Sequence, residues 1–214
     1  MANVLAPFGF AQVGTASSMP NYARAGSASP YRIKAGFITS IYFGDAVRMW
    51  VTGDAASSAA GYITPWIAGD GAGDATKILV GIFVGCQYYS ASQHKTVFSN
   101  FYPGADAAAD VDAYVVDDPE SQWMVQAGTA ATPFTQAYVG MSADINVTPT
   151  GSTTTGISGM SLNTPTITNS STLPFKLVNV ITTPPTANGR DLTTAYNYVT
   201  VAFNNQQYKA RLGV

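Results

Sequence analysis

The nearly continuous apolar run from Lys77 to Tyr89 constrains the fold of this chain more than any other segment. Its longest apolar stretch, Ile78 to Cys86, covers nine residues and contains Gly81 and Gly85. Such a run is too short to cross a membrane, and it is typical of a strand that is buried on both faces. The two glycines favour a bulge or a bend. The sequence therefore predicts a central β-strand that is covered on both sides.

Short segments with β character surround this run and are separated by turn residues. Regular turn signals between short strands are typical of an all-β barrel or sandwich. We therefore predict an all-β fold, either a β-barrel or a β-sandwich of many short strands, with little helix. The other predicted strands are 31–43, 46–51, 62–67, 96–102, 111–116, 121–126, 156–163, 175–181, 197–203 and 206–212.

Several local signals refine this prediction. Gly44-Asp45 and Asn204-Asn205 each predict the turn of a β-hairpin. Pro65 favours an edge strand, because proline cannot donate a hydrogen bond to a neighbouring strand. The one helix start is Thr132-Pro133, with Thr132 as the N-cap of a helix that ends near Gly140.

Residues 1–30 are rich in Gly, Ala and Ser and show no periodicity. They predict an extended N-terminal arm, followed by a single β-rich domain over 31–214. The first ten residues lack the charged and apolar regions of a signal peptide. Phe8 and Phe10 face the same side of an extended chain. They pack either on the chain's own core or on a neighbouring subunit.

Charged residues make up only 10% of the chain, with 10 Lys and Arg against 12 Asp and Glu. A nucleic-acid-binding protein needs a clustered basic surface, so we expect no nucleic-acid partner. Nine of the twelve acidic residues lie between residues 51 and 120. Either they are solvated turn residues, or they steer the protein onto a complementary partner.

The candidates for catalysis and metal binding are weak. Cys86 and His94 are the only residues of their types, which excludes a disulfide framework and a Cys- or His-rich metal site. Cys86 lies in the apolar run as a core residue, and His94 lies in a polar turn without a G-x-S-x-G nucleophile motif. The chain has no glycine-rich phosphate loop. We therefore expect no enzymatic activity, no cofactor and no metal.

Two acidic clusters remain to be weighed. Gly69–Ala75 lacks the ligands and the distal Glu of an EF-hand loop. The second cluster has no spacing that fixes the geometry of a glycosidase, and whether either cluster binds a cation stays open. The second cluster comprises Asp106, Asp110, Asp112, Asp117, Asp118 and Glu120.

Aromatic residues give the stronger prediction. The chain has 12 Tyr, 10 Phe and 3 Trp, more than one modest β core needs. Protein interfaces favour aromatic residues and avoid charge. Aromatic residues at β loops also hold sugars in carbohydrate-binding modules, so both functions are open. The candidate residues for contact with another protein or a second subunit are Phe8, Phe10, Tyr22, Tyr88, Tyr89, Tyr102 and Trp123.

Residues 7–126 resemble a family of small structural proteins of tailed bacteriophages. The motifs that carry the resemblance occur in the same order as in the family. They are Pro7-Phe-Gly-Phe-Ala-Gln-Val-Gly14, Tyr31-x-Ile-x-x-Gly36, Ile41-x-x-Gly44-Asp45-x-Val47, Ile82-Phe-Val-Gly-Cys-Gln-Tyr88, Phe98-Ser-x-x-Tyr102-Pro103, Ala113-Tyr-Val-x-Asp-Asp-Pro119 and Val125-Gln126.

The resemblance implies a head decoration, or cement, protein on the outside of the virion capsid, made in the cytoplasm of a bacterial host. Its implied partners are the major capsid protein and copies of itself, as a dimer or a trimer, with no membrane. We then expect the arm, residues 1–30, to be ordered only in the assembled particle. The alternative is a virion-attached carbohydrate-binding or host-adhesion module, such as part of a fibre.

Overall fold

The computed structural model describes residues 2–15, 29–51, 60–70, 77–104, 106–128, 133–185 and 187–210. These residues form two antiparallel sheets of six strands each, and the predicted all-β fold is confirmed. Sheet A has the order β1-β8-β12-β11-β9-β10. Sheet B has the order β2-β7-β5-β3-β4, and β6 pairs with the far half of β5.

The strands of sheet A are β1 (Ala11–Thr15), β8 (Ser121–Gln126), β9 (Ser142–Asn146), β10 (Ser161–Thr168), β11 (Phe175–Val180) and β12 (Tyr198–Phe203). Those of sheet B are β2 (Ser29–Ile33), β3 (Ala46–Met49), β4 (Ile63–Pro65), β5 (Leu79–Ser90), β6 (Lys95–Ser99) and β7 (Val111–Val116). The described helices are a 3₁₀ turn at Gln136–Tyr138 and one short α-helix, α1 (Gln207–Ala210). Within the described ranges, no helix has the length and apolar character to cross a membrane.

The predicted central strand is confirmed as β5, which contributes to two hydrophobic cores. Leu79 and Ile82 pack into the core between the two sheets, and Val80 and Phe83 pack into a second core on the opposite face of sheet B. The pairing of β5 with β3 shifts register near Gly81, and its pairing with β7 shifts near Gly85. Each shift changes which face the following side chains occupy.

Gly81 is needed for this arrangement because a Cβ at that position would lie 2.2 Å from the carbonyl oxygen of Val116. Gly85 has φ +148, a conformation that side chains rarely adopt. The glycines in the apolar run therefore allow two close approaches of neighbouring strands.

The predicted edge position of Pro65 is confirmed, since β4 ends sheet B. The predicted hairpin at Gly44-Asp45 is wrong. The N–H of Gly44 donates to the carbonyl of Phe83, and the N–H of Phe83 donates to the carbonyl of Asp45. These two hydrogen bonds hold Gly44 and Asp45 alongside β5 instead of at the end of a hairpin. Ile41 pairs instead with Tyr102. Because residues 34–43 cover the second core, they do not fold back as a strand.

Two further predictions near the C-terminus differ from the structure. Asn204-Asn205 leads into α1 instead of a strand, because the buried Gln206 amide anchors the chain by donating to the carbonyls of Val80 and Asp117. The predicted strand 156–163 is shifted to β10, and β9 was not predicted. The helix expected from Thr132 is reduced to the 3₁₀ turn, and Thr132 itself lies outside the described residues.

Residues 2–15 of the predicted extended arm, residues 1–30, pack against the rest of the chain in the structure. The Asn3 side chain donates to the carbonyls of Asp191 and Ala195 at 2.9 Å each. Phe10 is buried between the sheets, and its ring stacks on Phe175 with 4.5 Å between centroids. β1 then pairs with β8. These contacts lie within one chain, so they need no particle; residues 16–28 lie outside the described residues.

Replacing Phe10 by Ala tests whether this segment stabilises the isolated chain. Removal of a buried aromatic ring leaves a cavity, so we expect Phe10→Ala to lower the free energy of unfolding by about 3–5 kcal/mol. Val13→Ala is the matched control, because Val13 lies on the same segment with 45% of its surface exposed. Urea denaturation of the purified variants measures both changes. Equal stability of Phe10→Ala and the parent chain would mean that the segment is not docked.

Candidate interaction surface

The structure buries four of the seven predicted contact residues. Phe10 and Trp123 lie in the core between the sheets, and Tyr88 and Tyr102 lie in the second core. The Tyr102 hydroxyl donates to the carbonyl of Phe37 at 2.6 Å. These four side chains stabilise the chain itself and are not available to a partner, which corrects the prediction for them. Aromatic residues fill a β core as readily as they line a surface.

The other three predicted residues differ in position. Tyr89 is exposed over 46% of its surface. Phe8 is half-buried, and its ring meets the ring of Tyr198 edge-on at 5.3 Å. Tyr22 lies outside the described residues. Tyr89 is therefore the predicted contact residue that the structure leaves open to a partner.

Tyr89 belongs to a larger exposed face that arises because sheet A covers only part of sheet B. Along β7, Val116 packs against sheet A, whereas Asp112 and Tyr114 project from the same face farther along the strand. Along β5, Gln87 and Tyr89 project in the same way beyond the register shift at Gly85. We call this surface the outer face; it comprises Arg32, Gln87, Tyr89, Thr96, Phe98, Asp112 and Tyr114.

The outer face is ordered by cross-strand pairing. Phe98 lies opposite Gln87, Gln87 opposite Asp112, and Asp112 opposite Arg32, which forms one row across four strands. Arg32 Nε lies 3.0 Å from Asp112 Oδ1, and the Tyr114 hydroxyl donates to Gln87 Oε1 at 3.3 Å. These contacts hold the polar side chains in place on the sheet.

Phe98 gives the outer face its strongest apolar character, with 72% of the residue exposed. An exposed aromatic group with a polar surround is typical of an interaction site. The aromatic rings can pack against apolar groups, and Arg32 and Asp112 offer hydrogen-bond donors and acceptors to a polar partner. The outer face is therefore our candidate functional site.

A second exposed apolar patch lies where residues 42–43, 101 and 156–157 meet. The rings of Tyr42 and Phe101 stack at 5.9 Å, and Phe43 forms a bridge with Ile157. Phe43 and Ile157 are both exposed. A neighbouring cleft of about 350 Å³ is lined by Phe8, Pro149 and Ile157, among others. Most of its other lining residues are Gly, Ser or Thr, whose small side chains offer fewer directed contacts than the outer face does.

The acidic middle of the chain is largely satisfied internally. Each described aspartate accepts a hydrogen bond or forms an ion pair within the chain. Asp110, for example, accepts from the N–H of Ala35 at 2.9 Å and from the Tyr62 hydroxyl at 2.7 Å. Asp106 accepts from Ser90 and Ser92 in the same way. These carboxylates serve as turn and strand acceptors, which favours the structural interpretation of the charge pattern.

The Gly69–Ala75 cluster also has a structural role in its described part. Asp70 is buried and accepts from Arg48 Nε at 2.5 Å and from the N–H of Ile67 at 2.9 Å, and Lys77 Nζ lies 3.1 Å from its other oxygen. Residues 71–76 lie outside the described residues. Among the residues that the structure describes, no three His, Cys, Asp or Glu side chains group as metal ligands.

His94 and Cys86 lie where the sequence predicts. His94 is in the turn between β5 and β6, where its N–H donates to the carbonyl of Ser90 at 3.0 Å. Cys86 is buried in the second core, and burial raises the pKa of its thiol to about 12. Cys86 is therefore a structural thiol that stays protonated at neutral pH.

Two other buried carboxyl groups have altered titration. Burial raises the pKa of Asp45 to about 6, although hydrogen bonds from Ser158 and the N–H of Tyr42 oppose the shift. Burial also raises the pKa of Asp144 to about 6, and the neighbouring charge of Asp70 raises it further. Hydrogen bonds from the N–H of Ile145 and from the Trp66 indole lower the pKa of Asp144 and oppose this shift. Neither group belongs to the outer face, since Asp45 lies just before β3 and Asp144 lies in β9.

Comparison of the chain with known protein families, with characterised proteins and with solved structures found no match. The outer face is therefore interpreted from its own chemistry and from the motifs in the sequence.

The raised pKa values predict a pH-dependent stability. The folded state binds protons at Asp45 and Asp144 more tightly than the unfolded state does. Their contribution to the free energy of unfolding is therefore fully present below about pH 4 and is lost as the pH rises through 6. We expect the free energy of unfolding to fall by about 1–3 kcal/mol between pH 5 and pH 7.5. Thermal unfolding at a series of pH values measures this.

Asp45→Asn and Asp144→Asn separate these groups from the others. Each substitution removes one titrating group, so each should flatten the profile between pH 5 and 7.5, and the double variant should flatten it most. Glu120→Gln, at an exposed turn position, is the control and should leave the slope unchanged. A slope that survives in the double variant would rule out these two residues as its source.

Proposed function

We propose that this protein is a structural protein of a tailed-bacteriophage virion that decorates the outside of the capsid shell and binds the major capsid protein through its outer face. The main support is the exposed aromatic surface around Phe98 and Tyr89. It lies on paired strands of a two-sheet fold, so little conformational entropy is lost when it docks. The order of the motifs over residues 7–126 supports the same class of protein.

The distribution of charge is consistent with this role. Protein interfaces are depleted of charge at their centre and enriched in aromatic residues. Phe98 and Tyr89 lie on the neighbouring strands β6 and β5, and Tyr114 lies on β7 next to Asp112. The two charged residues of the outer face, Arg32 and Asp112, neutralise each other as an ion pair. A partner can therefore cover this face without leaving an unpaired charge.

A virion-attached carbohydrate-binding module is the second candidate, and the same row of side chains favours it. An aromatic ring can pack on the apolar side of a sugar ring, while Gln87, Asp112 and Arg32 can exchange hydrogen bonds with sugar hydroxyls. This candidate predicts binding to glycans instead of to the capsid shell.

Binding to empty shells of the same phage's major capsid protein tests the proposal. We expect the purified protein to co-sediment with the shells in hundreds of copies per particle, as counted by quantitative mass spectrometry. Tyr89→Ser with Tyr114→Ser should weaken binding at least about tenfold, because aromatic groups supply much of the energy of an interface. The matched control is Tyr208→Ser, since Tyr208 is a tyrosine with 50% exposure outside the outer face.

Three results would contradict the capsid proposal. One is the absence of shell binding, and another is a copy number of a dozen or fewer, which fits a tail or vertex component. The third is equal loss of binding in the control and the double variant. A glycan array read in parallel distinguishes the second candidate: glycan binding that depends on Tyr89 and Tyr114, without shell binding, would support the carbohydrate-binding module.

A further inference from the structure

β6 is an edge strand whose outer side has no strand partner among the described residues. It pairs with β5 over five consecutive residues without a register shift, from Ser90 opposite Lys95 to Cys86 opposite Ser99. An unpaired edge presents a row of N–H and C=O groups that can accept another strand. The exposed side chain of Phe98 stands on this edge.

The hydrogen-bond pattern identifies which groups of β6 point outward. The carbonyl of Tyr89 accepts from the N–H of Ala108, on the side of β5 that faces away from β6. Tyr89 and its partner Thr96 therefore form a pair without mutual main-chain hydrogen bonds, and so do Gln87 and Phe98 two residues along. The N–H and C=O groups of Thr96 and Phe98 consequently project from the free edge.

Other edges of the two sheets are less open. The ends of sheet B approach each other, and Asp110 links them by accepting from Ala35, just after β2, and from Tyr62, just before β4. In sheet A, β10 is bridged at Leu162 to Ala127, which follows β8. β1 has a register shift between Gln12 and Gly14, and such a bulge interrupts further pairing. β6 is the regular edge that remains.

We propose that β6 pairs antiparallel with β6 of a second copy of this chain, about a two-fold axis at Val97. In this register, Thr96 of each copy lies opposite Phe98 of the other, and the outward groups of both residues form four main-chain hydrogen bonds. The two sheets B then form one continuous sheet across the dimer. Because the interface is two-fold symmetric, it closes after two copies and does not propagate into a fibre.

The side chains of β6 favour a second copy as the occupant. Lys95 lies opposite Ser99 of the other copy, so no like charges meet across the new pair. The two Phe98 side chains become diagonal neighbours, within reach of each other across the axis. The two outer faces join into a single surface. In this surface each Phe98 side chain contacts the Phe98 side chain of the other copy, and the aromatic side chains of both copies face the same side. This inference does not depend on the proposed function.

Thr96→Pro tests the role of the free edge. Proline removes the outward N–H of residue 96, which β5 does not use, so the β5–β6 pair should persist while strand addition fails. Thr96→Val is the matched control, because it keeps the N–H and the β preference. By sedimentation equilibrium we expect a dimer for the parent chain and for Thr96→Val, and at least about a tenfold weaker dimer for Thr96→Pro. A monomeric parent chain, or an unchanged dimer in Thr96→Pro, would overturn the proposal.

Cross-linking tests the register without weakening the fold. At the two-fold axis the Val97 Cα atoms lie about 4.5 Å apart, which suits a disulfide. Val97→Cys should therefore give a covalent dimer under mild oxidation. Lys95→Cys should not, because the two positions lie about 13 Å apart along the strands. The buried Cys86 can remain in both variants. Equal cross-linking of the two variants, or none in Val97→Cys, would refute this register.

Discussion

The structure depends on β5, a single strand that must serve two hydrophobic cores. In its first half the strand alternates between the inter-sheet core and the second core, and the shifts at Gly81 and Gly85 reset this alternation. Without the second shift, Gln87 would be directed towards the second core, where its amide would need partners at a cost of roughly 1–3 kcal/mol. The bulges therefore decide which side chains reach the outer face.

The strands with the clearest patterns could be predicted from the sequence, and the reason is physical. The bounds of β7 and β8 match the predicted 111–116 and 121–126, because each strand alternates between a buried and a less buried face. Residues 31–43 show a similar pattern, but only β2 forms a strand there. Residues 34–43 instead cover the second core and pair only through isolated bridges, such as that between Ile41 and Tyr102. A local pattern cannot distinguish a strand from a covering segment when both bury apolar residues.

The candidate site could be predicted only in part. Tyr89 was named from the sequence, whereas Phe98, Gln87, Tyr114 and Arg32 were not. The neighbours Tyr88 and Tyr89 show why: they point to opposite faces of β5, and only the coverage by sheet A determines which face is open. Coverage is a long-range property of the fold. The alternation of Thr96 and Phe98 with Val97 was the one local signal that could have located the edge.

In this chain of low charge content, uncharged amide side chains form many of the hydrogen bonds that connect distant segments. Buried Asn3, Gln126 and Gln206 hydrogen-bond to main-chain groups of distant segments, and Asn197 receives the N–H of Phe134. Each such side chain satisfies a main-chain group that no strand neighbour can reach, which is what an irregular β fold requires. On the outer face, the charged side chains of Arg32 and Asp112 pair with each other, so the exposed Phe98 and Tyr89 lie beside a neutral ion pair rather than beside like charges.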